Sequence, residues 1–86
     1  MITILFIHAS HCKECDAAEK NINKAIQMSH DQVEIKKMHF ESKGVVNIAI
    51  RNGINTLPAA IINGVVFQGD NFDTSEIYTA IKKTVS

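Results

Sequence analysis

A chain of 86 residues holds one domain, residues 1–86, because a core of ordinary size already uses most of it. Nine Lys plus Arg balance nine Asp plus Glu, and the charges are scattered, which excludes the basic stripe of a nucleic-acid binder and the acidic tail of a solvating arm. The apolar start, MITILFIHAS, lacks a basic n-region, a long h-region and a cleavage site, and is too short to span a bilayer, so no membrane partner is expected.

ITILFIH, residues 2–8, is a near-continuous apolar run rich in β-branched residues. That pattern predicts a central strand buried on both faces, as in a parallel sheet. From Lys13 to about Met28, Ala18, Ile22, Ala25 and Ile26 recur at helical spacing, and Cys15 extends the stripe backward. VEIKKMHF, residues 33–40, alternates through Val33 and Ile35 and then Met38 and Phe40. The phase slips at the lysines, which predicts a bulge or a strand near the sheet edge.

Residues 44–51, with Val45, Ile48 and Ala49 on one face, predict a short helix ended by Asn52 and Gly53. AAIINGVVFQG is two apolar runs joined by Asn63-Gly64, the pair suited to the positive φ angles of a type I′ turn, hence a β-hairpin. DTSE, from Asp73 to Glu76, is a capping-box pattern ahead of Ile77, Ile81 and Val85 on one helical face. The predicted order is β-α-β-α-β-β-α, a four-stranded sheet with helices on both faces, in which the first β-α-β is a right-handed crossover between parallel strands. The sequence shows no repeat, low-complexity segment or linker.

The chain's two cysteines both fall in HCKEC, residues 11–15, which is not the spread framework of a small secreted domain and points to a reducing, cytoplasmic setting. Cys12 sits at or near the N-cap of the first helix. There its sulfur faces unpaired backbone N–H groups and the positive end of the helix dipole, both of which stabilise a thiolate, so Cys12 is the expected nucleophile. Cys15, on the inward stripe, is expected to be the buried resolving thiol that attacks a mixed disulfide formed at Cys12.

Lys13 favours the Cys12 thiolate and Glu14 opposes it, and a protonated His11 adds one more favourable charge, although an exposed loop histidine needs no such role. His8 is expected to end the strand, and His30 and His39 to be surface or packing residues. A second reading takes His8, His11, Cys12 and Cys15 as four possible ligands within eight residues, enough in number for a tetrahedral zinc or copper site in a metal-binding or metal-delivery protein. Against it stand the lack of a second cysteine pair and a strand-to-helix turn that aims those side chains apart. Pro58, the only proline, opens the third strand, where a proline needs no function to explain it.

Taken together, the C-x-x-C at the first strand-helix junction and NGINTLPAAIINGVVFQG, with Thr56-Leu57-Pro58 before the hairpin, resemble the thioredoxin fold. The resemblance extends over nearly the whole chain and is greatest to small redox-active disulfide proteins and archaeal glutaredoxin-like thioredoxins. It implies a three-layer α/β/α domain with a four-stranded mixed sheet. It also implies a cis Leu57-Pro58 bond packed against the cysteine pair, a Leu57 backbone that pairs with an extended substrate segment, and Gly69 as the glycine after the last strand.

There are departures. Lys13-Glu14, His11 and Phe6 stand where thioredoxins proper usually have Gly-Pro, a Trp and a buried carboxylate, so proton transfer at Cys15 must use water or another group. QGDNFD offers only Gly69 with Asp70 or Asp73 where glutaredoxins use Gly-Gly and an Asp, and Asp73 is better explained as a helix cap. The resemblance implies a protein-disulfide reductase, monomeric and without a cofactor, reset by a thioredoxin-reductase-like partner or by glutathione. A thioredoxin-like adaptor that uses its disulfide for regulation is a further alternative.

Overall fold

The computed structural model describes residues 2–83. The element order is β1 (Ile2–His8), α1 (Lys13–Ser29), β2 (Val33–His39), α2 (Val45–Arg51), β3 (Ala59–Ile62), β4 (Val65–Gln68) and α3 (Thr74–Lys82), as the periodicities predict. The four strands form one mixed sheet in the order β2-β1-β3-β4. β1 runs parallel to β2 and antiparallel to β3, and β3 and β4 form the antiparallel hairpin.

β1 is central, and its alternate side chains enter two cores, one on each face of the sheet. Ile4 and Phe6 pack with Ala18, Ile22 and Ala25 of α1 and with Ile77 and Ile81 of α3. Ile7 packs on the other face with Val45 of α2, Ile54 and Ala59. The layers are therefore α1 and α3, then the sheet, then α2. Val85, expected to continue the apolar face of α3, lies outside the described residues.

β2 is an edge strand, one of the two alternatives the slipped pattern predicted, and it carries no bulge: its seven residues pair one for one with Ile2–His8. The alternation runs unbroken, with Val33 and Ile35 toward α1 and Met38 toward α2. The alternation places Lys37 on the α1 side, half exposed, with its Nζ 3.1 Å from Glu19 Oε1, so a charged residue interrupts the apolar pattern without changing the strand. Phe40, read as the last apolar residue of that pattern, lies beyond β2 and is 40% exposed.

The hairpin turn has φ of 51° at Asn63 and 82° at Gly64, the positive values a type I′ turn requires. Asn63 Nδ2 also donates to the carbonyls of Ala80 and Ile81 at 2.9 and 3.2 Å, tying the turn to the end of α3.

Candidate functional site

The site lies where β1 gives way to α1. Residues 9–12 turn the chain from strand to helix, and His11 makes the turn with a φ of 55°. Cys12 is the N-cap of α1, in extended conformation at φ −110°, and its sulfur accepts the N–H of Cys15 at 3.0 Å. This is the arrangement in which unpaired helix N–H groups stabilise charge on a sulfur. Cys15, one turn in, is 3% exposed and packs in the core with Phe6 and Ala18. The two cysteines are joined in a disulfide across a Cα–Cα distance of 5.2 Å, the range such a bond requires.

Facing the first turns of α1 is the segment that leads into β3. The Leu57-Pro58 peptide is cis, Pro58 is buried, and its carbonyl accepts the N–H of Gly69 at 2.9 Å. Gly69, at φ 68°, holds the left-handed turn after β4 that brings this N–H across. A cleft of about 480 Å³ separates α1 from the turn, lined by Glu14, Ala18, Asn21, Leu57, Asp70 and Phe72 among others. Asn21 Nδ2 donates to the Phe72 carbonyl at 2.7 Å and so fixes the loop that forms its third wall.

The structure brings Cys12 and Cys15 together and sets Leu57 across this cleft from α1. Thr56 stands on the other side of the turn, in a second groove. His11 and Lys13 flank Cys12 and are exposed. Asp73, beyond the cleft, is the N-cap of α3 as its sequence context indicated, accepting from the N–H groups of Ser75 and Glu76 at 2.8 and 3.4 Å. The Ser75 hydroxyl donates to the same oxygen at 2.8 Å. That hydroxyl and the two N–H groups together hold the Asp73 carboxyl below its ordinary value of 3.8. Another cleft, about 860 Å³ between β4 and α3, shares no lining residue with the disulfide or the turn.

Two features escape sequence reasoning. Gln68, at the end of β4, accepts at Oε1 from the N–H groups of Asn55 and Thr56 at 3.0 and 3.3 Å and from the Thr56 hydroxyl at 3.2 Å. Its Nε2 donates to the Gly53 carbonyl at 3.3 Å, so one side chain pins the loop before the cis bond. The only signal is a polar residue closing an apolar strand. The second is the convergence of His8 and His39. The parallel register pairs them, their rings meet edge to face at 5.6 Å, and His39 Nε2 lies 3.0 Å from Ser10 Oγ. His8 follows Phe6 on the same face of β1, with rings 6.1 Å apart, and Phe6, where a carboxylate would stand in thioredoxins proper, is buried edge-on against Phe72 at 6.3 Å.

Among the described residues no three His, Cys, Asp or Glu side chains are placed to hold a metal ion, so His11 and the cysteine pair form no ligand set here. Nor is any described helix long and apolar enough to cross a membrane.

No protein-family profile matches the sequence, and no curated protein does. The fold has close parallels among solved structures. An uncharacterized thioredoxin-like protein from Clostridium perfringens superposes with a TM-score of 0.77 at 17% identity, over 96% of this chain and 70% of that one. Oxidised thioredoxin O2 from Arabidopsis thaliana gives 0.67 at 15% identity, over 100% and 76%. Oxidised mitochondrial thioredoxin 3 from Saccharomyces cerevisiae gives 0.64 at 18% identity, over 95% and 77%. The chain has the thioredoxin fold, with a C-x-x-C disulfide at the N-terminus of α1.

Proposed function

We propose that the chain is a thiol-disulfide oxidoreductase acting on protein disulfides in the cytoplasm, as a single-domain monomer without a bound cofactor. The observation that carries this is the position of the pair: Cys12 at the N-cap of α1, bonded to a buried Cys15. Once the disulfide is reduced, the Cys12 thiolate attacks one sulfur of a substrate disulfide. The Cys12–substrate bond forms as the substrate bond breaks, and the departing thiolate takes up a proton from water. The Cys15 thiolate then attacks Cys12 Sγ, the Cys12–Cys15 disulfide forms, and the second substrate thiolate leaves. Two electrons pass from the protein dithiol to the substrate.

The buried proton on Cys15 must leave before that second step. Phe6 supplies no base, so water admitted at the end of β1, or His8 on the same face of the strand, serves instead. Leu57 offers its backbone to an extended substrate segment, with Thr56 positioned beside it by Gln68. His11 and Lys13 modulate the Cys12 thiolate from solvent, where screening keeps their effect small. A reductase of the thioredoxin-reductase kind, or glutathione, resets the couple.

Single-turnover reduction of a protein disulfide by the pre-reduced chain tests the reading. Cys12→Ser abolishes reduction, and Cys15→Ser accumulates a mixed disulfide between Cys12 and the substrate. Full reduction by Cys12→Ser contradicts it.

A further inference from the structure

Among the described residues only Met28, Phe40, Val46 and Ile50 are large apolar side chains that stand exposed, and three of these four line one groove. Val46 is 57% and Ile50 70% exposed on α2, Phe40 is 40% exposed just after β2, and Ile7 and Ile54 are further lining residues of this groove of about 270 Å³. α2 reads VVNIAIR, and only Asn47 and Arg51 are polar. Its inner face already packs on the sheet through Val45 and Ala49, so Val46 and Ile50 are apolar surface beyond what the fold needs. Clustered exposed apolar residues of this kind mark a binding surface.

The groove ends at Leu57, which also lines the cleft beside α1. The two surfaces meet at Leu57, and the cleft differs from the groove in carrying carboxylates. Glu14 and Asp70 line the cleft, whose lining includes no Lys or Arg.

We infer that the occupant of these two surfaces is an extended, disulfide-bearing segment of a protein substrate that carries an aliphatic or aromatic side chain on one side of its reacting cysteine and a Lys or Arg on the other. The inference rests on the oxidoreductase reading and supplies its substrate class. A segment lying along Leu57 reaches the apolar groove at one end and the two carboxylates at the other. The groove removes an apolar side chain from water, and the carboxylates attract the basic one. Glutathione is anionic and carries no large apolar group, so it fits neither end, which favours a protein reductase over glutathione as electron donor.

The test uses the pre-reduced full chain, freed of excess reductant, against four synthetic peptide disulfides of equal length: apolar and basic, serine and basic, apolar and acidic, serine and acidic. Each second-order rate constant is divided by that for bis(2-hydroxyethyl) disulfide, which is uncharged and too small to span the surface. The apolar-basic peptide is expected to exceed the serine-acidic one by about a hundredfold, with about tenfold from each end, the usual scale for one apolar side chain or one well-placed charge. Ile50→Ser removes the advantage of the apolar side chain alone. Glu14→Gln combined with Asp70→Asn, or added salt, removes that of the basic one alone. Equal normalised rates for the four peptides overturn the inference while leaving the oxidoreductase reading intact. So does sedimentation showing a dimer that Ile50→Ser dissociates, since the groove then belongs to a second copy. A chain that reduces neither the peptides nor the small disulfide removes the oxidoreductase reading and the inference with it.

Discussion

Cys12 and Asp73 hold the same backbone position, the N-cap of a helix, at φ −110° and −82°, and each turns helix N–H groups toward a side chain that can carry negative charge. In Asp73 the Ser75 hydroxyl and two N–H groups favour the carboxylate and lower its pKa. A carboxylate whose pKa falls on folding stabilises the fold above its unfolded value of 3.8, and this stabilisation disappears as pH drops through the lowered value. Asp73→Ala should therefore lower the urea midpoint at neutral pH, while Asp73→Asn, also a good cap, keeps most of it. The Ala deficit should be smaller in acid, as pH falls below 3.8 and through the lowered value, than at neutral pH. Urea titrations at the two pH values check this, and an equal deficit at both contradicts it. Both caps were legible in the sequence, since a residue able to accept an N–H stood directly before a helical stripe. The His8–His39 contact was not, because it depends on the register of two strands far apart in the chain.

The hairpin shows how much of an element is local. Asn63-Gly64 specifies its own turn through two positive φ values, which is why the dipeptide alone identified it. Its attachment to α3 is a separate matter, carried by Asn63 Nδ2 on two carbonyls 17 and 18 residues away, and nothing in the local pattern reveals it. Asn63→Gly keeps the left-handed turn but removes both hydrogen bonds, while the Ala80 carbonyl keeps the Lys83 N–H. It should cost about 1–3 kcal/mol, measured by urea denaturation, and a variant as stable as the parent would show that the hydrogen bonds contribute nothing. β2 illustrates the opposite error. The lysine pair looked like a slipped phase because one lysine faces the helix layer, where its half-exposed side chain carries the charge out to water beside Glu19 of α1.

At the scale of the whole molecule, most of the fold was readable because each element announced itself locally and the order β-α-β-α-β-β-α admits few arrangements. The cysteine pair was readable for the same reason, as a short motif at an element boundary, whereas the cis Leu57-Pro58 turn was expected only through the family resemblance. The apolar groove was not, because Phe40 belongs to a pattern that reads as core, and only the assembled layers bring it beside Val46 and Ile50 and show that the core is complete without them. The asymmetry between the cysteines is likewise a property of the folded chain: α1 turns the Cys15 N–H onto the Cys12 sulfur, while Cys15 itself is buried in the core beneath the helix layer. The most direct test is therefore alkylation of the fully reduced protein across pH, native and in denaturant, with mass spectrometry locating each adduct. In the native protein Cys12 alone should react rapidly, with an apparent pKa below the ordinary thiol value of about 8.5, and in denaturant the two cysteines should react alike near that value. Equal reactivity of Cys12 and Cys15 in the native protein, or a faster Cys15, would contradict it.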